Sequence, residues 1–222
     1  TAPVRSIAGA DDVELINLDG QRGALNGAYT YIVPDPTVAT AFPTTATTDG
    51  GTFVVIAGSG FRAGVSVSFV AADDTPFLSP NVNRVSTTSI LAATPPVSAE
   101  GDYTLTVTNV DGHTATLADT FHMVHATGAT PRIDSISPNT GNKDAPTPVT
   151  LTGANFRLVP GTNGPAILVG SAAANVTSLV CDDTAAHCTV QAVFPTGPNA
   201  GPVVVRLIDD DGQSDTTVFT YF

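Results

Sequence analysis

The side chains that could do chemistry are mostly carboxylates, and they are densest around Asp210. Asp209, Asp210, Asp211 and Asp215 surround an Asp-Gly step. Carboxylate oxygens are ligands that Ca²⁺ prefers, which makes Asp209, Asp211 and Asp215 weak calcium candidates. Because the alternating ligands of a full calcium loop, ending in a glutamate, are missing, we expect a solvated turn, with calcium as the alternative. We predict no other metal site and no other cofactor.

The two cysteines, Cys181 and Cys188, are the second group of side chains that could do chemistry. They lie seven residues apart in VCDDTAAHCTV, across a predicted hairpin, so they can approach closely enough to bridge. We expect a disulfide; free thiols and a metal site are the alternatives. A structural zinc site needs four ligands, and His187, next to Cys188, points the other way on a strand. Because disulfides persist outside the cytoplasm, the pair favours an extracellular or cell-surface protein.

Histidines and glutamates form no catalytic constellation in the sequence. His122 and His125 stand three residues apart, and on a strand such residues point to opposite faces. The G-x-S-x-G turn of serine hydrolases is absent. Glu14 and Glu100 are the only glutamates and lie far apart in the chain, so a catalytic carboxylate pair would have to consist of aspartates. Nothing points to such a pair, and we predict that the chain is not an enzyme.

The charge balance excludes several partners. The 222 residues carry 8 Lys and Arg against 20 Asp and Glu, a net charge of −12. Nucleic-acid binding needs cations that displace phosphate counterions, so we predict no nucleic-acid partner. No apolar run approaches the ~18 residues of a membrane span, and we predict no direct membrane insertion. The opening residues TAPVRS lack the charged leader and apolar block of a signal peptide, and we expect none in this sequence.

Three segments of the chain share one pattern: an alternating strand, an Asp-Gly turn and a second strand that ends in large apolar residues. The segments are 12–32, 102–124 and 202–222. An Asp-Gly step between two alternating runs favours a β-hairpin, because glycine tolerates positive φ. The shared positions fall 92 and 100 residues apart: Gly20, Gly112 and Gly212 at the turns, then Gly9, Gly101 and Gly201, and Pro3, Pro95 and Pro195.

The front halves of two repeats match as well. GTFVVIAGSGFR (51–62) parallels TPVTLTGANFR (147–157), with shared glycine, phenylalanine and arginine positions 95 residues apart. One repeat is therefore 90–95 residues long. We predict an incomplete unit over 1–33 and complete units over 34–126 and 130–222.

Period-two alternation inside the repeats indicates half-buried strands. The residues predicted to face inward are Tyr103, Leu105, Val107, Phe121 and Met123 in one unit, and Val203, Val205, Leu207, Phe219 and Tyr221 in the next. Between them, Thr104, Thr106, Thr108, Val204, Arg206 and Ile208 are predicted to face outward. Many short strands with frequent turns are typical of an immunoglobulin-like sandwich. The predicted fold class is all-β: two complete tandem sandwiches and the closing hairpin of a third.

The third repeat resembles an IPT/TIG domain. Its opening ISPNTG, its LTGANF segment and its closing DG…FTY carry the resemblance. The likeness covers 131–222 well, 37–124 more loosely and 1–33 only as the closing hairpin. It implies the immunoglobulin-like fold that plexins, certain transcription factors and many bacterial surface proteins share. One fold hosts many functions, so the resemblance alone does not specify this one.

The hairpin in 1–33 lacks the strands that would cover its apolar face, which bears Val13, Leu15, Tyr29 and Tyr31. A lone hairpin is marginally stable in water. Three interpretations stay open. The chain is a piece of a longer array, or the hairpin completes a sheet elsewhere by strand addition, or it packs against the second unit.

These features predict a non-catalytic, extracellular array of immunoglobulin-like units that acts as a spacer, an adhesin stalk or a filament subunit. Assembly would proceed by β-strand complementation through residues 1–33. The expected partners are other copies or further repeats of the same protein, with a surface glycan or protein as a further candidate. The alternative is a set of accessory, glycan-binding modules of a larger secreted enzyme that degrades polysaccharides.

Overall fold

The structure, a computed structural model, describes residues 9–32, 34–118 and 120–222. Every regular element in these ranges is a β-strand, which confirms the predicted fold class. The remaining residues, among them the repeat position Pro3 and the predicted unit boundary at Val33, lie outside the described part. The chain divides into two compact units, of which unit 1 ends at Asp35 and unit 2 spans Pro36–Phe222. No helix in the described ranges is long and apolar enough to cross a membrane.

Unit 1 is an antiparallel hairpin of two strands, β1 (Gly9–Ile16) and β2 (Arg22–Tyr31). The strands pair from Gly9 with Tyr31 to Ile16 with Arg22, with a bulge after Asp11. Within the described residues this sheet has two strands only. Most of its side chains are therefore exposed.

The first part of unit 2 is a sandwich of two sheets, here called sandwich 1. Its strands are β3 (Thr37–Phe42), β4 (Thr45–Thr47), β5 (Phe53–Ser59), β6 (Ser66–Val70), β7 (Pro76–Leu78), β8 (Asn81–Arg84), β9 (Ser89–Ala93), β10 (Gly101–Thr108), β11 (Thr114–Thr116) and β12 (Phe121–Val124). One sheet has the order β3-β5-β9-β8 and the other β4-β12-β10-β6-β7, with β11 beside β10. Phe69 and Phe121 meet edge to face in the core between the sheets, with ring centroids 4.9 Å apart.

The second part, sandwich 2, repeats this plan. Its strands are β13 (Arg132–Ser137), β14 (Thr140–Gly141), β15 (Thr147–Ala154), β16 (Ala166–Val169), β17 (Ala172–Ala173), β18 (Asn175–Cys181), β19 (Cys188–Phe194), β20 (Gly201–Ile208) and β21 (Ser214–Tyr221). The two sheets have the orders β13-β15-β19-β18 and β14-β21-β20-β16-β17. Phe194 and Phe219 take the central core position, 5.1 Å apart.

The residues predicted to face inward on β10 and β20 do so, but one residue predicted to face outward is buried. Leu105, Val107, Val205 and Leu207 are fully buried in their own sandwiches. Ile208 was predicted to face outward, yet it too is fully buried. It points away from the core of sandwich 2 and is covered instead by sandwich 1. A period-two pattern shows which side chains point away from the core of their own domain, but it does not show that a second domain covers them.

The three Asp-Gly turns share one backbone conformation. Gly20, Gly112 and Gly212 have φ of 85°, 86° and 81°. In each turn the glycine N–H donates to the carbonyl three residues earlier, at 2.9–3.0 Å. In each turn the aspartate before the glycine accepts a hydrogen bond from the N–H two residues on, at 3.1–3.2 Å. Unit 1 thus has the turn geometry of the complete sandwiches.

Candidate interaction surfaces

Sandwich 1 and sandwich 2 meet through an apolar contact, which we call the junction. Sandwich 1 contributes the outer face of the sheet that holds β3, β5 and β9, and sandwich 2 contributes the loop before β16 and the outer face of β16 and β20. The side chains from sandwich 1 are Phe42, Phe53, Val55 and Leu91, and those from sandwich 2 are Val159, Ala166, Leu168 and Ile208. The four side chains from sandwich 2 are buried. Because apolar surface leaves water there, the junction stabilises one arrangement of the two sandwiches.

Polar contacts fix the register of the junction. The Arg206 guanidinium lies over the Phe53 ring, 4.0 Å from its centroid, and such a cation–π contact gains strength when it is shielded from water. The Thr52 hydroxyl donates to the Gly212 carbonyl oxygen at 2.9 Å. A Cβ at Gly212 would collide with the backbone of Ala46 and Thr47. The turn of sandwich 2 therefore seats directly on sandwich 1.

The linker between the sandwiches is bound to this same turn. The Asp211 carboxylate accepts hydrogen bonds from the N–H groups of Thr127, at 3.0 Å, and Gly128, at 3.4 Å. Gln213 Nε2 donates to the Gly128 carbonyl at 2.9 Å. Arg157 Nη1 donates to the Ala129 carbonyl at 3.1 Å. Side chains of sandwich 2 thus satisfy the backbone of the linker.

The acidic cluster that suggested calcium surrounds an arginine. Arg157 Nε donates to Asp210 at 2.7 Å, and Arg157 Nη2 forms an ion pair with Asp211. Asp215 accepts a hydrogen bond from the Ile133 N–H at 2.7 Å. Over the described ranges, no group of three or more His, Cys, Asp or Glu side chains is arranged to hold a metal ion. Calcium binding by Asp209, Asp211 and Asp215 stays a prediction.

Asp209 has an unusual environment that the sequence did not reveal. Its side chain is buried, and Oδ1 accepts a hydrogen bond from the Arg157 N–H at 3.0 Å. Oδ2 has no hydrogen-bond partner and lies 3.8 Å from Arg157 Nη2. Burial raises the pKa of Asp209 to about 7 and outweighs the opposing effect of Arg157. At neutral pH the carboxyl group is therefore partly protonated.

The equivalent residue in sandwich 1 is an asparagine. Asn109 is also buried, and its Oδ1 accepts from the Arg62 N–H at 3.1 Å. Its Nδ2 donates to the Gly60 carbonyl at 2.9 Å. The amide of Asn109 therefore has hydrogen bonds to both of its polar atoms, at the position where one carboxylate oxygen of Asp209 has none. An alignment of the turn sequences alone would have shown that sandwich 2 has an ionisable aspartate where sandwich 1 has a neutral asparagine.

The junction exists because both faces differ from their repeat equivalents. Strand register aligns the four apolar residues of sandwich 1 with Ser137, Pro148, Thr150 and Gln191 of sandwich 2. It aligns Ala166, Leu168 and Ile208 of sandwich 2 with Ser66, Ser68 and Thr108 of sandwich 1. These equivalent positions are polar or exposed. Both outer faces of the pair are thus unlike the faces that pack at the junction.

Unit 1 has a second apolar surface. Val13, Leu15 and Tyr29 are 48%, 64% and 45% exposed. By repeat register, Val13 and Leu15 correspond to Leu105 and Val107, which are fully buried. The rings of Tyr29 and Tyr31 meet edge to face at 4.9 Å. The hairpin therefore has the side chains of a sandwich core and leaves them largely exposed.

The two cysteines form the predicted disulfide. Cys181 and Cys188 are opposite each other on β18 and β19, in the residue pair next to the turn that joins the two strands. Cys188 is buried beside the core of sandwich 2. The bridge is a structural link at this edge of the sandwich.

The histidines take separate surface positions. His122 pairs with Asp102 at 2.6 Å, and His187 pairs with Asp182 at 3.0 Å. The hydrogen bond from His187 is the main cause of the low pKa of Asp182, about 2. His125 Nδ1 lies 2.9 Å from the Thr48 hydroxyl.

A family model confirms the predicted family. The model of the IPT/TIG domain matches residues 36–123 and again residues 131–221. The chain therefore belongs to the IPT/TIG family, with two tandem domains that correspond to sandwich 1 and sandwich 2. Comparison with curated protein sequences gives no match.

Several solved structures are similar to the chain at low sequence identity. The chain covers 88% of the TIG domain of human nuclear factor of activated T-cells, cytoplasmic 4, using 40% of its own length, with 20% identity and a TM-score of 0.35. It matches the plexin A4 extracellular region over 85% of its length and 18% of that chain, with 16% identity and a TM-score of 0.32. It matches a Bacteroides ovatus surface glycan-binding protein, in complex with a mixed-linkage heptasaccharide, over 98% of its length and 53% of that chain, with 16% identity and a TM-score of 0.33. The chain spans about a fifth of the plexin and about half of the glycan-binding protein.

Proposed function

We propose that the chain is a non-catalytic structural segment of an extracellular array, in which sandwich 1 and sandwich 2 form one stiff spacer. The observation that supports this most directly is the junction. It buries apolar side chains from both sandwiches and binds the linker to the turn of sandwich 2. Flexible linkers let domains reorient, whereas a packed junction holds the distance and angle between the two ends. Stiffness of this kind suits a stalk or a filament.

Unit 1 has a second role in the same proposal. Its hairpin supplies the last two strands of a further IPT/TIG sandwich by strand complementation. Strand addition satisfies the backbone groups along a sheet edge, while the side chains on one face find apolar pockets. The exposed Val13, Leu15 and Tyr29 suit such an arrangement. The array would then continue beyond the two sandwiches through this surface.

The test of the structural role is direct imaging of native particles together with their mass in solution. A particle with a regular axial repeat of two or three immunoglobulin-like units supports the array. Particles that contain isolated IPT/TIG units at variable angles would contradict it. The double variant Phe53→Pro, Leu168→Ser introduces the repeat-equivalent residues on the two faces, and it should broaden the angle between the sandwiches.

Glycan binding is the second candidate, and one cleft favours it. At one end of sandwich 1, a cleft of about 460 Å³ is lined by the Phe77 and Tyr103 rings together with Asp73, Glu100 and Asp102. Apolar rings beside polar groups are the usual contents of a small-molecule site. Titration with soluble β-glucan oligosaccharides tests this candidate. Binding that Phe77→Ala abolishes and Phe222→Ala leaves intact would support it, and a lack of binding to the unaltered chain would remove it.

A further inference from the structure

Both sandwiches have a cleft at the same place in the fold. In sandwich 1 it lies between the turn after β6 and the loop before β10, with a volume of about 460 Å³. In sandwich 2 a cleft of about 250 Å³ lies between the turn after β16 and the loop before β20. Strand β6 pairs with β10 as β16 pairs with β20, so the two clefts are equivalent in the repeat. Their lining residues can therefore be compared position by position.

The cleft of sandwich 1 has rings and carboxylates at positions where sandwich 2 has smaller apolar side chains. Strand register and the shared glycines that begin β10 and β20 define the equivalent residues. The pairs are Phe77 and Ala172, Glu100 and Ala200, Asp102 and Pro202, and Tyr103 and Val203. The fold itself therefore does not require rings and carboxylates at these four positions.

The carboxylates give the cleft of sandwich 1 a negative charge. Asp73, Glu100 and Asp102 line it, and the described residues that line it include no lysine or arginine. Asp73 accepts a hydrogen bond from the Thr75 N–H at 3.0 Å, and Asp102 pairs with His122 Nδ1 at 2.6 Å. Glu100 is exposed. Because ionised carboxylates only accept hydrogen bonds, a ligand that pairs with them must supply donors, and a cationic donor forms the stronger bonds.

Two aromatic rings line the same cleft. Phe77 and Tyr103 meet edge to face, with ring centroids 5.9 Å apart. Phe77 is partly buried against the core of sandwich 1. The Tyr103 hydroxyl already donates to the Ala99 carbonyl at 2.9 Å. What the rings offer a ligand is therefore aromatic surface, and the face of an aromatic ring attracts cations.

Elsewhere in the described chain, arginines occupy both kinds of surroundings. At the junction, the Arg206 guanidinium lies over the Phe53 ring, 4.0 Å from its centroid. In the turn of residues 209–213, Asp210 accepts a hydrogen bond from Arg157 at 2.7 Å, and Asp211 forms an ion pair with the same arginine. The cleft of sandwich 1 combines a phenylalanine ring with carboxylates, and an arginine side chain suits both.

A second cleft adjoins the first. It has a volume of about 280 Å³, shares Asp102 and Tyr103 with the first cleft, and is also lined by Val70, Leu117 and Thr120. This surface has room for the residues on either side of a bound cationic side chain. The two clefts together therefore suit a short stretch of polypeptide rather than an isolated cation.

We propose that the cleft of sandwich 1 binds an arginine side chain of a basic polypeptide partner. This partner goes beyond the spacer role, and it differs from the neutral β-glucan that tests the glycan candidate at the same cleft. A guanidinium group is planar, stacks on aromatic rings and donates in a fork that matches a carboxylate. The net charge of −12 attracts a basic partner over a longer range. The spacer thereby has a docking site for a basic protein on sandwich 1.

Heteronuclear NMR of the ¹⁵N-labelled chain tests this proposal with blocked tripeptides. Acetyl-Gly-Arg-Gly-amide carries the guanidinium group, and the same peptide with citrulline carries a neutral urea of the same shape. We expect the arginine peptide to shift the amide signals of residues 71–77 and 98–103 in a saturable way. The citrulline peptide should bind about tenfold more weakly, because it cannot form charge-assisted hydrogen bonds. The amides of residues 169–172 and 196–203, in the equivalent cleft, should not shift.

The two glutamates of the chain give a matched pair of variants. Glu100 lines the cleft, whereas Glu14 pairs with Arg22 in unit 1. Both glutamates are exposed, so neither substitution should affect folding. Glu100→Gln should weaken binding of the arginine peptide about threefold, as expected for one solvent-accessible ion pair, and Glu14→Gln should leave it unchanged. Equal effects of the two variants would overturn the proposal.

Other results would overturn it as well. One is a lack of saturable shifts at residues 71–77 and 98–103 with the arginine peptide. Equal binding of the citrulline peptide would mean that the cleft does not recognise charge, and equal shifts in both clefts would mean that the attraction is not specific. Binding of β-glucan oligosaccharides in place of the arginine peptide would make a glycan the ligand. None of these results bears on the junction, which the particle images and the Phe53→Pro, Leu168→Ser variant test separately.

Discussion

The turns of residues 109–113 and 209–213 have the same backbone but different surroundings. Both begin with a buried side chain that accepts a hydrogen bond from an arginine N–H. In sandwich 1 that side chain is the neutral Asn109, and a Cβ at Gly112 would meet nothing within 4 Å. In sandwich 2 it is Asp209, and the glycine abuts the other sandwich. The comparison shows how one repeat position serves as a plain turn in one domain and as a joint in the next.

Substitution of valine for each turn glycine should give the largest difference in stability between the plain turn of sandwich 1 and the turn of sandwich 2 that contacts sandwich 1. Gly112→Val should cost roughly 1–2 kcal/mol of unfolding free energy, because a side chain disfavours positive φ. Gly212→Val should cost about 4 kcal/mol, since the side chain also strikes the backbone of sandwich 1. Urea unfolding of both variants measures the difference. Equal losses would mean that the turn of sandwich 2 is not seated on sandwich 1.

Serine at Leu168 sharpens the same contrast on the sheet face. Leu168→Ser removes a buried side chain from the junction and should destabilise the chain by about 3 kcal/mol. Ser68→Ala, at the equivalent position of sandwich 1, should change stability by less than about 0.5 kcal/mol. Differential scanning calorimetry of both variants provides the check. A loss at Leu168 no larger than that at Ser68 would contradict a buried junction.

Reduction of the disulfide distinguishes the two sandwiches in another way. The bridge between Cys181 and Cys188 closes a short loop of sandwich 2, and its removal should cost roughly 2–3 kcal/mol in the chain-entropy model. Sandwich 1 has no cysteine and should be affected only through the junction. Hydrogen exchange with and without reductant resolves the two. If reduction increased the exchange rates of sandwich 1 more than those of sandwich 2, that result would be inconsistent with this assignment.

The charge at Asp209 predicts a dependence of stability on pH. Its pKa is raised from 3.8 to about 7 in the folded protein, so the protonated form stabilises sandwich 2. That contribution is complete below about pH 4 and is lost as pH rises through about 7. Asp209→Asn, which copies Asn109, should match the unaltered chain near pH 4 and exceed it in stability at pH 8. Asp144→Asn, on the surface, is the control; identical pH profiles for all three proteins would argue against a buried, partly protonated Asp209.

The sequence was sufficient for the features that repeat. Period-two alternation predicted the inward faces of β10 and β20, and the spacing of glycines predicted three hairpins with one turn geometry. The spacing of Cys181 and Cys188 predicted the disulfide. The alternation and the turns recur within the chain, so a single sequence records them more than once, and the disulfide joins residues that are close in the sequence.

The junction could not be predicted in the same way. Ile208 lies on a strand whose alternation predicts exposure, and the contact with Phe53 and Val55 of sandwich 1 explains its burial. The acidic run suggested calcium because the sequence does not show that Arg157, more than fifty residues earlier, lies among the carboxylates. A contact between distant segments that occurs only once produces no repeating pattern in the sequence from which it could be predicted.

The most direct test of the account is whether sandwich 1 and sandwich 2 move as one body. Residual dipolar couplings of the backbone amides in a weakly aligned sample report the orientation of each sandwich independently. A packed junction predicts that one alignment tensor fits both sandwiches, and that Leu168→Ser separates it into two. Two different tensors for the unaltered chain would show that the sandwiches reorient freely and would contradict a stiff spacer.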